Sequence, residues 1–203
     1  MVTRAVQPFP GSVVLKALAI APLAVLAARV LGRAHRPRDA RLLTAALALS
    51  CVGDVFLHLD ARRYFVHALG AFLLAHLAYV ALFVSNWPRP LRPSAGQVIA
   101  AALVVVYGVA MCAWLWTGLG RLRGPALAYA AAIVAMTVST ILAGFSRPCV
   151  TIGALLFLVS DSLIAAGRFK LVMPTAGLLI WPTYYVAQYA IAIGFLREET
   201  LRR

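Results

Sequence analysis

Two aspartates stand inside long apolar stretches of this 203-residue chain. Asp54 follows Ser50-Cys51-Val52-Gly53, and Asp161 lies between Ser160 and Ser162. An ionisable side chain at the centre of a bilayer costs about 2.5–3.5 kcal/mol on insertion scales, so each such residue suggests a functional site. The other acidic residues lie at the ends of apolar stretches or between them, where we expect water to reach them: Asp39, Asp60, Glu198 and Glu199.

Two carboxylates in one apolar site can divide acid and base work, because one stays protonated as a general acid while the other stays anionic. That division suits acid-catalysed cleavage through an oxocarbenium-like cation. It suits a proton-coupled transporter equally well. The remaining alternative is that each aspartate pairs with a buried cation or caps a polar neighbour. The absence of the G-x-S-x-G, Walker and H-E-x-x-H motifs disfavours serine-nucleophile and P-loop chemistry.

The two aspartates are predicted to lie at the same depth in a membrane. Their apolar runs, 42–59 and 150–168, are separated by four crossings and therefore point in the same direction. Counted from the ends of these runs, at 1.5 Å per residue, Asp54 and Asp161 lie roughly 7 and 10 Å below the same surface. We therefore expect both carboxylates to face one polar cavity.

Further polar side chains fall in the same layer. His58 is four residues after Asp54 and shares its helix face, while His76 lies in the middle of the next apolar run. Tyr79 is expected to be a packing aromatic. The additional candidates in this layer are Lys16, His67, Tyr184, Tyr185 and Gln188.

The composition predicts the elements that must position these residues. Hydrophobic residues make up 63%, charged residues 12%, and mean hydropathy is +0.90. A soluble protein is roughly 45–50% apolar and about 25% charged, so soluble and disordered chains are both excluded. A spanning helix needs about 20 apolar residues. The sequence predicts an all-α polytopic transmembrane helical bundle, a single domain over 1–203 with seven spans at about 12–31, 42–59, 64–84, 97–117, 125–145, 150–168 and 173–196.

The net charge of +13 indicates contact with lipid headgroups rather than nucleic acid, because most arginines lie between apolar runs. Eight Lys and Arg residues fall on the N-terminal side and eleven on the other side. The positive-inside rule then places the N-terminus out and the C-terminus in. The three cysteines have no spacing typical of a metal or disulfide site, and no cofactor is expected. Small residues are expected at helix contacts, namely Gly53, Gly70, Gly153 and Gly177.

Four motifs, in order, resemble the YhhN family of lysoplasmalogenase-like membrane proteins. They lie at 53–57, 65–79, 153–162 with Arg168-Phe169 following, and 184–188. The resemblance covers most of residues 12–196. It implies an integral membrane hydrolase that cleaves the vinyl ether of lysoplasmalogen to a fatty aldehyde and a glycerophospho-alcohol. The excess of Arg over Lys predicts a bacterial source, and hence a bacterial inner membrane. The family usually has eight spans, and the N-terminal one is the span expected to be absent here.

The resemblance implies that the family's paired aspartates are Asp54 and Asp161, one the acid and one its anionic partner. Which aspartate is the acid stays open. The partners would be a lysophospholipid substrate and membrane lipid, with no metal. The expected substrate-binding residues are Lys16, His58, His76, Tyr185, Gln188 and Arg168.

Two other functions fit the same residues. One is a metal-dependent lipid hydrolase, in which His58 and His76 join the two aspartates as zinc ligands. The other is a non-enzymatic proton-coupled transporter or sensor, in which the aspartates form a proton relay.

Overall fold

A computed structural model describes residues 11–33, 37–173 and 175–201, with side chains described over 20–32, 37–173 and 175–198. No strand occurs in these ranges, so the predicted all-α helical bundle is confirmed. The α-helices are α1 (Gly11–Arg33), α2 (Pro37–Asp60), α3 (Phe65–Ser85), α4 (Ala95–Leu119), α5 (Arg123–Ala143), α6 (Cys149–Phe169) and α7 (Gly177–Leu201).

Within the described ranges, five helical stretches are long and apolar enough to cross a membrane, which differs from the seven spans predicted. The turn Gly120–Leu122 is itself helical and joins α4 to α5 in one stretch of 49 residues. A straight helix of that length would measure about 70 Å, more than twice the bilayer core. The stretch instead turns at Gly120, where φ is 50°, and α5 packs back on α4. In α1, the described apolar segment Ile20–Gly32 is shorter than a span.

Six of the helices form a closed ring. Following the contacts around it, α1 packs on α2, α2 on α3, α3 on α5, α5 on α6, α6 on α7, and α7 on α1. Helix α4 lies outside this ring, against α5 and α6. Its outward side chains are apolar, with Ile99 and Leu103 each at least 60% exposed. We conclude that α4 is the peripheral helix and that its outer face contacts lipid.

Glycines set two of the tightest helix contacts. A Cβ at Gly53 would lie 2.6 Å from a ring carbon of α3, and one at Gly153 would lie 2.8 Å from a carbonyl oxygen of α7. The expected packing role is therefore confirmed at these two positions. The expected packing role is wrong for Gly70 and Gly177. A Cβ at Gly70 would have no atom of another helix within 4 Å, and a Cβ at Gly177 would meet Trp181, which is on its own helix. When a helix is apolar on every side, its sequence does not show which of its small residues contacts a neighbouring helix.

Two acidic residues expected in water are buried instead. Asp39 is 8% exposed and Glu198 is 2% exposed. The Glu198 Oε1 atom accepts hydrogen bonds from the backbone nitrogen and hydroxyl of Ser146, at 3.1 and 2.8 Å. The carboxylate thus ties the end of α7 to the turn between α5 and α6, which the position of Glu198 at a span end did not indicate.

Gly118→Ala is expected to destabilise the protein more than Gly70→Ala, although both changes add one methyl group to a helix. A Cβ at Gly118 would lie 2.0 Å from the Phe169 carbonyl oxygen, so α4 must move away from α6. We expect the free energy of unfolding to fall by about 1–3 kcal/mol. Gly70→Ala should be neutral or stabilising, because alanine is the better helix former. Denaturant titration in detergent micelles measures both, and equal midpoints would contradict the tight contact.

Candidate active site

Asp54 ends a hydrogen-bond chain that crosses three helices. The hydroxyl of Tyr79 on α3 donates to Gln188 Oε1 on α7 at 2.6 Å. The Gln188 amide nitrogen donates to the Tyr184 hydroxyl at 3.3 Å, and that hydroxyl donates to Asp54 Oδ2 at 2.8 Å. All of these side chains are buried. Because every hydrogen in the chain is directed towards Asp54, the arrangement suits an aspartate that acts as an acceptor.

Two residues of this hydrogen-bond chain have roles that differ from those expected: Gln188 was expected to bind substrate, and Tyr79 was expected only to pack. Gln188 is fully buried and connects two tyrosines. Tyr79 supplies the first hydrogen of the chain, and its partner is 109 residues away in sequence. Only the spacing of Tyr79, three residues after His76, indicated that it shares the buried face of α3.

Tyr79→Phe tests the chain through stability. The change keeps the ring and removes the donor to Gln188, leaving a buried amide oxygen without its partner. We expect the free energy of unfolding in detergent to fall by about 1 kcal/mol. Tyr189→Phe is the matched control, since Tyr189 is 57% exposed on α7. Similar losses in the two variants would show that the chain does not hold the helices together.

Asp161 lies on α6, where its side chain is 11% exposed. It accepts a hydrogen bond at Oδ2 from the Tyr129 hydroxyl on α5. The same oxygen lies 3.9 Å from Nε2 of His76, which is fully buried on α3. Tyr129, the hydrogen-bond partner of Asp161, was not among the residues that the sequence predicted at the site.

The His76 ring is held in one tautomer. Its Nδ1 atom lies 2.6 Å from the Phe72 carbonyl oxygen, and a carbonyl only accepts, so Nδ1 carries the hydrogen. Nε2 of the neutral ring then presents a lone pair to Asp161, and this nitrogen has no hydrogen-bond partner within the described part of the chain. Two acceptors that face each other favour a proton on one of them. The geometry therefore suits a pair, His76 and Asp161, that holds one proton between them.

An aromatic layer connects the two aspartates. The His76 ring lies 4.8 Å from the Phe157 ring, which lies 5.2 Å from the Tyr184 ring. His76 faces Asp161 and Tyr184 contacts Asp54, so one phenylalanine ring separates the neighbours of the two carboxylates. The two side chains thus belong to one buried cluster.

Asp161 opens on an apolar cleft lined mainly by α3, α4, α5 and α6, with Leu57 of α2 at one point of its wall. We call it the Asp161 cleft; its wall runs from Phe65 and Phe169 at one end to Gly108 and Val134 at the other. Asp161 is its one charged wall residue. The expected polar cavity is therefore wrong for this cleft, whose wall omits Asp54, His58, His76 and Tyr185. Helix α2, which carries Asp54, adds Leu57 to this wall, whereas no residue of α7 lines it.

The remaining predicted residues lie around this cluster. His58 is half-buried on α2, beyond the Asp161 cleft. Tyr185 stacks on Trp181 with ring centroids 5.8 Å apart. Arg168 is exposed near the end of α6, where its guanidinium lies 4.9 Å from the Phe65 ring centroid. The side chain of Lys16 lies outside the described residues.

A metal centre was the alternative expected from the histidines and aspartates. Among the described side chains, no three His, Cys, Asp or Glu residues come together as a group that could hold a metal ion. His76 is oriented by a backbone carbonyl and faces Asp161, whereas His58 lies on another helix outside the cleft wall. The ligand set that this alternative requires is therefore not assembled.

Comparison with known proteins agrees with the arrangement of these motifs. The YhhN family model matches residues 11–195. The chain belongs to the YhhN family. A YhhN relative named lysoplasmalogenase, from Mycobacterium bovis, is 36% identical over 161 residues, which cover 78% of this chain and 61% of the relative. Human lysoplasmalogenase TMEM86B is 35% identical over 176 residues, covering 78% of this chain and 65% of the human protein.

A third YhhN relative, an uncharacterized membrane protein YhhN of Escherichia coli, is 33% identical over 138 residues, covering 63% of this chain and 58% of the relative. The chain thus spans about three fifths of the length of the curated relatives it matches. No solved structure matches it significantly. Its apolar helices and its membrane-protein relatives identify it as an integral membrane protein.

Proposed function

We propose that this protein hydrolyses the vinyl ether bond of a lysoplasmalogen and releases a fatty aldehyde and a glycerophospho-alcohol. The observation that carries the proposal is that Asp161 lies in the wall of an apolar cleft. The Tyr129 hydroxyl donates a hydrogen bond to this aspartate, and His76 faces it. The apolar lining of this cleft suits a hydrocarbon chain, and Asp161 places a carboxyl group beside it. The names of the mycobacterial and human relatives support the same reaction.

Asp161 is the proposed general acid, because it lines the cleft and Asp54 does not. The acid donates its proton to the β-carbon of the vinyl ether, and the electron pair of the double bond forms the new C–H bond. The positive charge is then shared between the α-carbon and the ether oxygen. Tyr129 holds one carboxyl oxygen while the proton leaves.

Water completes the reaction. It attacks the α-carbon and passes a proton to the Asp161 carboxylate, which restores the acid. The resulting hemiacetal separates into the aldehyde and the alcohol, so one water molecule is consumed for each bond cleaved. We propose that Asp54, at the end of its hydrogen-bond chain, supplies the negative charge that stabilises the oxocarbenium ion.

The other predicted residues take different parts in this proposal. Arg168, exposed at the end of α6, would bind the phosphate. His76 and Gln188 would act through Asp161 and Asp54, respectively, rather than by touching the lipid. Lys16, His58 and Tyr185 stay predictions as substrate-binding residues.

The test is incubation of the purified protein with 1-alkenyl and 1-acyl lysophospholipids, followed by mass spectrometry of aldehyde and free fatty acid. We expect aldehyde from the alkenyl lipid and no fatty acid from the acyl lipid. Fatty acid release would identify an acyl hydrolase and overturn the proposal. Loss of aldehyde on chelation, with recovery on adding a metal ion, would favour the metal-dependent alternative. No product from either lipid, with pH-dependent flux in liposomes, would favour the transporter.

We further propose that the protein lies in a bacterial cytoplasmic membrane with its N-terminus out and its C-terminus in. The support is the distribution of basic residues, eleven against eight, with the larger number on the side of the C-terminus. A C-terminal alkaline phosphatase fusion should be inactive and a C-terminal green fluorescent protein fusion fluorescent. The reverse pattern would contradict this topology.

A further inference from the structure

We infer that the hydrocarbon chain of one lysolipid binds in the Asp161 cleft, and that it enters sideways from the membrane through the gap between α3 and α4. The identity of the occupant rests on the proposed function. The route rests on how α3, α4, α5 and α6, which supply most of the cleft wall, pack on one another.

Helices α3 and α4 both line the cleft but hardly pack on each other. Both helices supply wall residues, Leu69 on α3 and Met111 on α4 among them. Over the described residues, however, α3 packs on α2 and α5, while α4 packs on α5 and α6. Because α4 lies outside the ring with an apolar outer face, we place this gap towards the hydrocarbon of the membrane; α2 contributes Leu57 to the same cleft wall.

The end of the cleft nearest the aqueous surface is closed. The α4 backbone at Gly118 touches α6 so closely that a Cβ there would lie 2.0 Å from the Phe169 carbonyl oxygen. Next to this contact, Lys170 Nζ donates to Thr117 Oγ1 at 2.7 Å. The Phe169 ring also meets the Phe65 ring edge-on at 5.8 Å. We call these contacts the roof of the cleft; because they join α3, α4 and α6 at this end, the route we infer is the side gap.

The wall chemistry determines which part of the lipid enters. Its one charged residue is Asp161, and its other lining is almost entirely apolar, so a phosphate bound inside would lack a cation. Cationic groups lie instead at the roof, where Arg168 and Lys170 are exposed. The chain therefore lies in the cleft, with the vinyl ether at Asp161 and the headgroup outside, beside the roof.

Photolabelling tests the chain site without requiring turnover. The probe is a 1-alkyl lysophosphatidylethanolamine with a diazirine in its chain, mixed with the full-length protein in phosphatidylcholine vesicles. Its saturated ether has no vinyl group to hydrolyse. We expect adducts on Leu69, Met111 and Cys112, and excess unlabelled alkyl lysolipid should remove them. Adducts confined to outward residues such as Ile99 and Leu103, unaffected by competition, would overturn the chain site.

Two variants test the side gap. Leu69→Trp narrows the gap from α3, and Met111→Trp narrows it from α4. Each should reduce the labelling that excess unlabelled lysolipid can prevent by at least tenfold. Leu77→Trp is the matched control, because Leu77 is 49% exposed on α3 and lies outside the cleft wall; its labelling should stay unchanged. Full labelling of both gap variants, with folding confirmed by gel filtration, would overturn the lateral route.

A bridge across the roof separates lateral from aqueous entry. Thr117→Cys and Lys170→Cys, in a chain whose own cysteines are replaced by alanine, can be joined by a bismaleimide. Labelling should persist after bridging if the chain enters between α3 and α4, and its loss would overturn the lateral route. If the probe labels the cleft, and unlabelled lysolipid prevents this labelling, but the protein hydrolyses no alkenyl lipid, the chain site stands and the proposed function is wrong.

Discussion

Asp161→Asn should lower turnover of the alkenyl lysolipid about a thousandfold or more while the protein stays folded. Asparagine keeps the size of the side chain and can still accept the Tyr129 hydrogen bond, but it has no acidic proton to give. Loss of a positioned general acid typically removes about 10²–10⁴ in rate. Initial rates of aldehyde release, with unfolding midpoints measured in the same detergent, test this.

Asp54→Asn should lower turnover about 10²–10³-fold, the range for removing one preorganised electrostatic group. If the two aspartates act as a unit, the double variant should be hardly slower than Asp161→Asn alone. Asp60→Asn is the control, because Asp60 is exposed and its Oδ1 only accepts the backbone hydrogens of Arg62 and Arg63, at 2.8 and 3.0 Å. Near-normal turnover of either single aspartate variant would remove that aspartate from the mechanism.

Ala126→Trp should strongly reduce turnover of the alkenyl lysolipid by filling the Asp161 cleft. Ala126 lines the cleft on α5, three residues before Tyr129, so an indole there would occupy space that the hydrocarbon chain needs. We expect kcat/KM to fall at least a hundredfold, with Asp161 and its hydrogen bond left in place. The measurement is aldehyde release over a range of alkenyl lysolipid concentrations in mixed micelles.

Ala128→Trp is the matched control for this change. Ala128 is on the same helix, is exposed, and lies outside the cleft wall. Its kcat/KM should stay within about twofold of the wild-type value, since surface changes away from a site are usually small in effect. Equal loss in both variants would point to damage to α5 rather than to a filled cleft.

The sequence located both aspartates for a physical reason that the structure supports. A buried acid is costly in a membrane, so Asp54 and Asp161 stood out among apolar residues. The same reasoning was wrong for Asp39 and Glu198, because position at a span end does not reveal a local partner such as Ser146. The helical bundle was equally predictable, since length and hydropathy determine it.

The partners of the aspartates could not be predicted in the same way. Tyr129 stands alone in an alanine-rich stretch, and its bond to Asp161 depends on how α5 faces α6. Helices that are apolar all round carry no periodic stripe that would show this face. For the same reason the sequence did not indicate that α4 lies outside the ring, or that Asp161 opens on an apolar cleft whose wall omits Asp54.

The most direct test of the central claim is hydrolysis of the alkenyl lysolipid by the purified protein in D₂O. Protonation of the vinyl β-carbon by an acid that exchanges with solvent predicts an aldehyde with one deuterium on the carbon next to the carbonyl. Asp161→Asn should give no such product above the buffer background, and unlabelled aldehyde added to the protein should gain no deuterium in the same time. An enzymatic aldehyde without that deuterium, or a fatty acid in its place, would contradict acid catalysis at the vinyl ether.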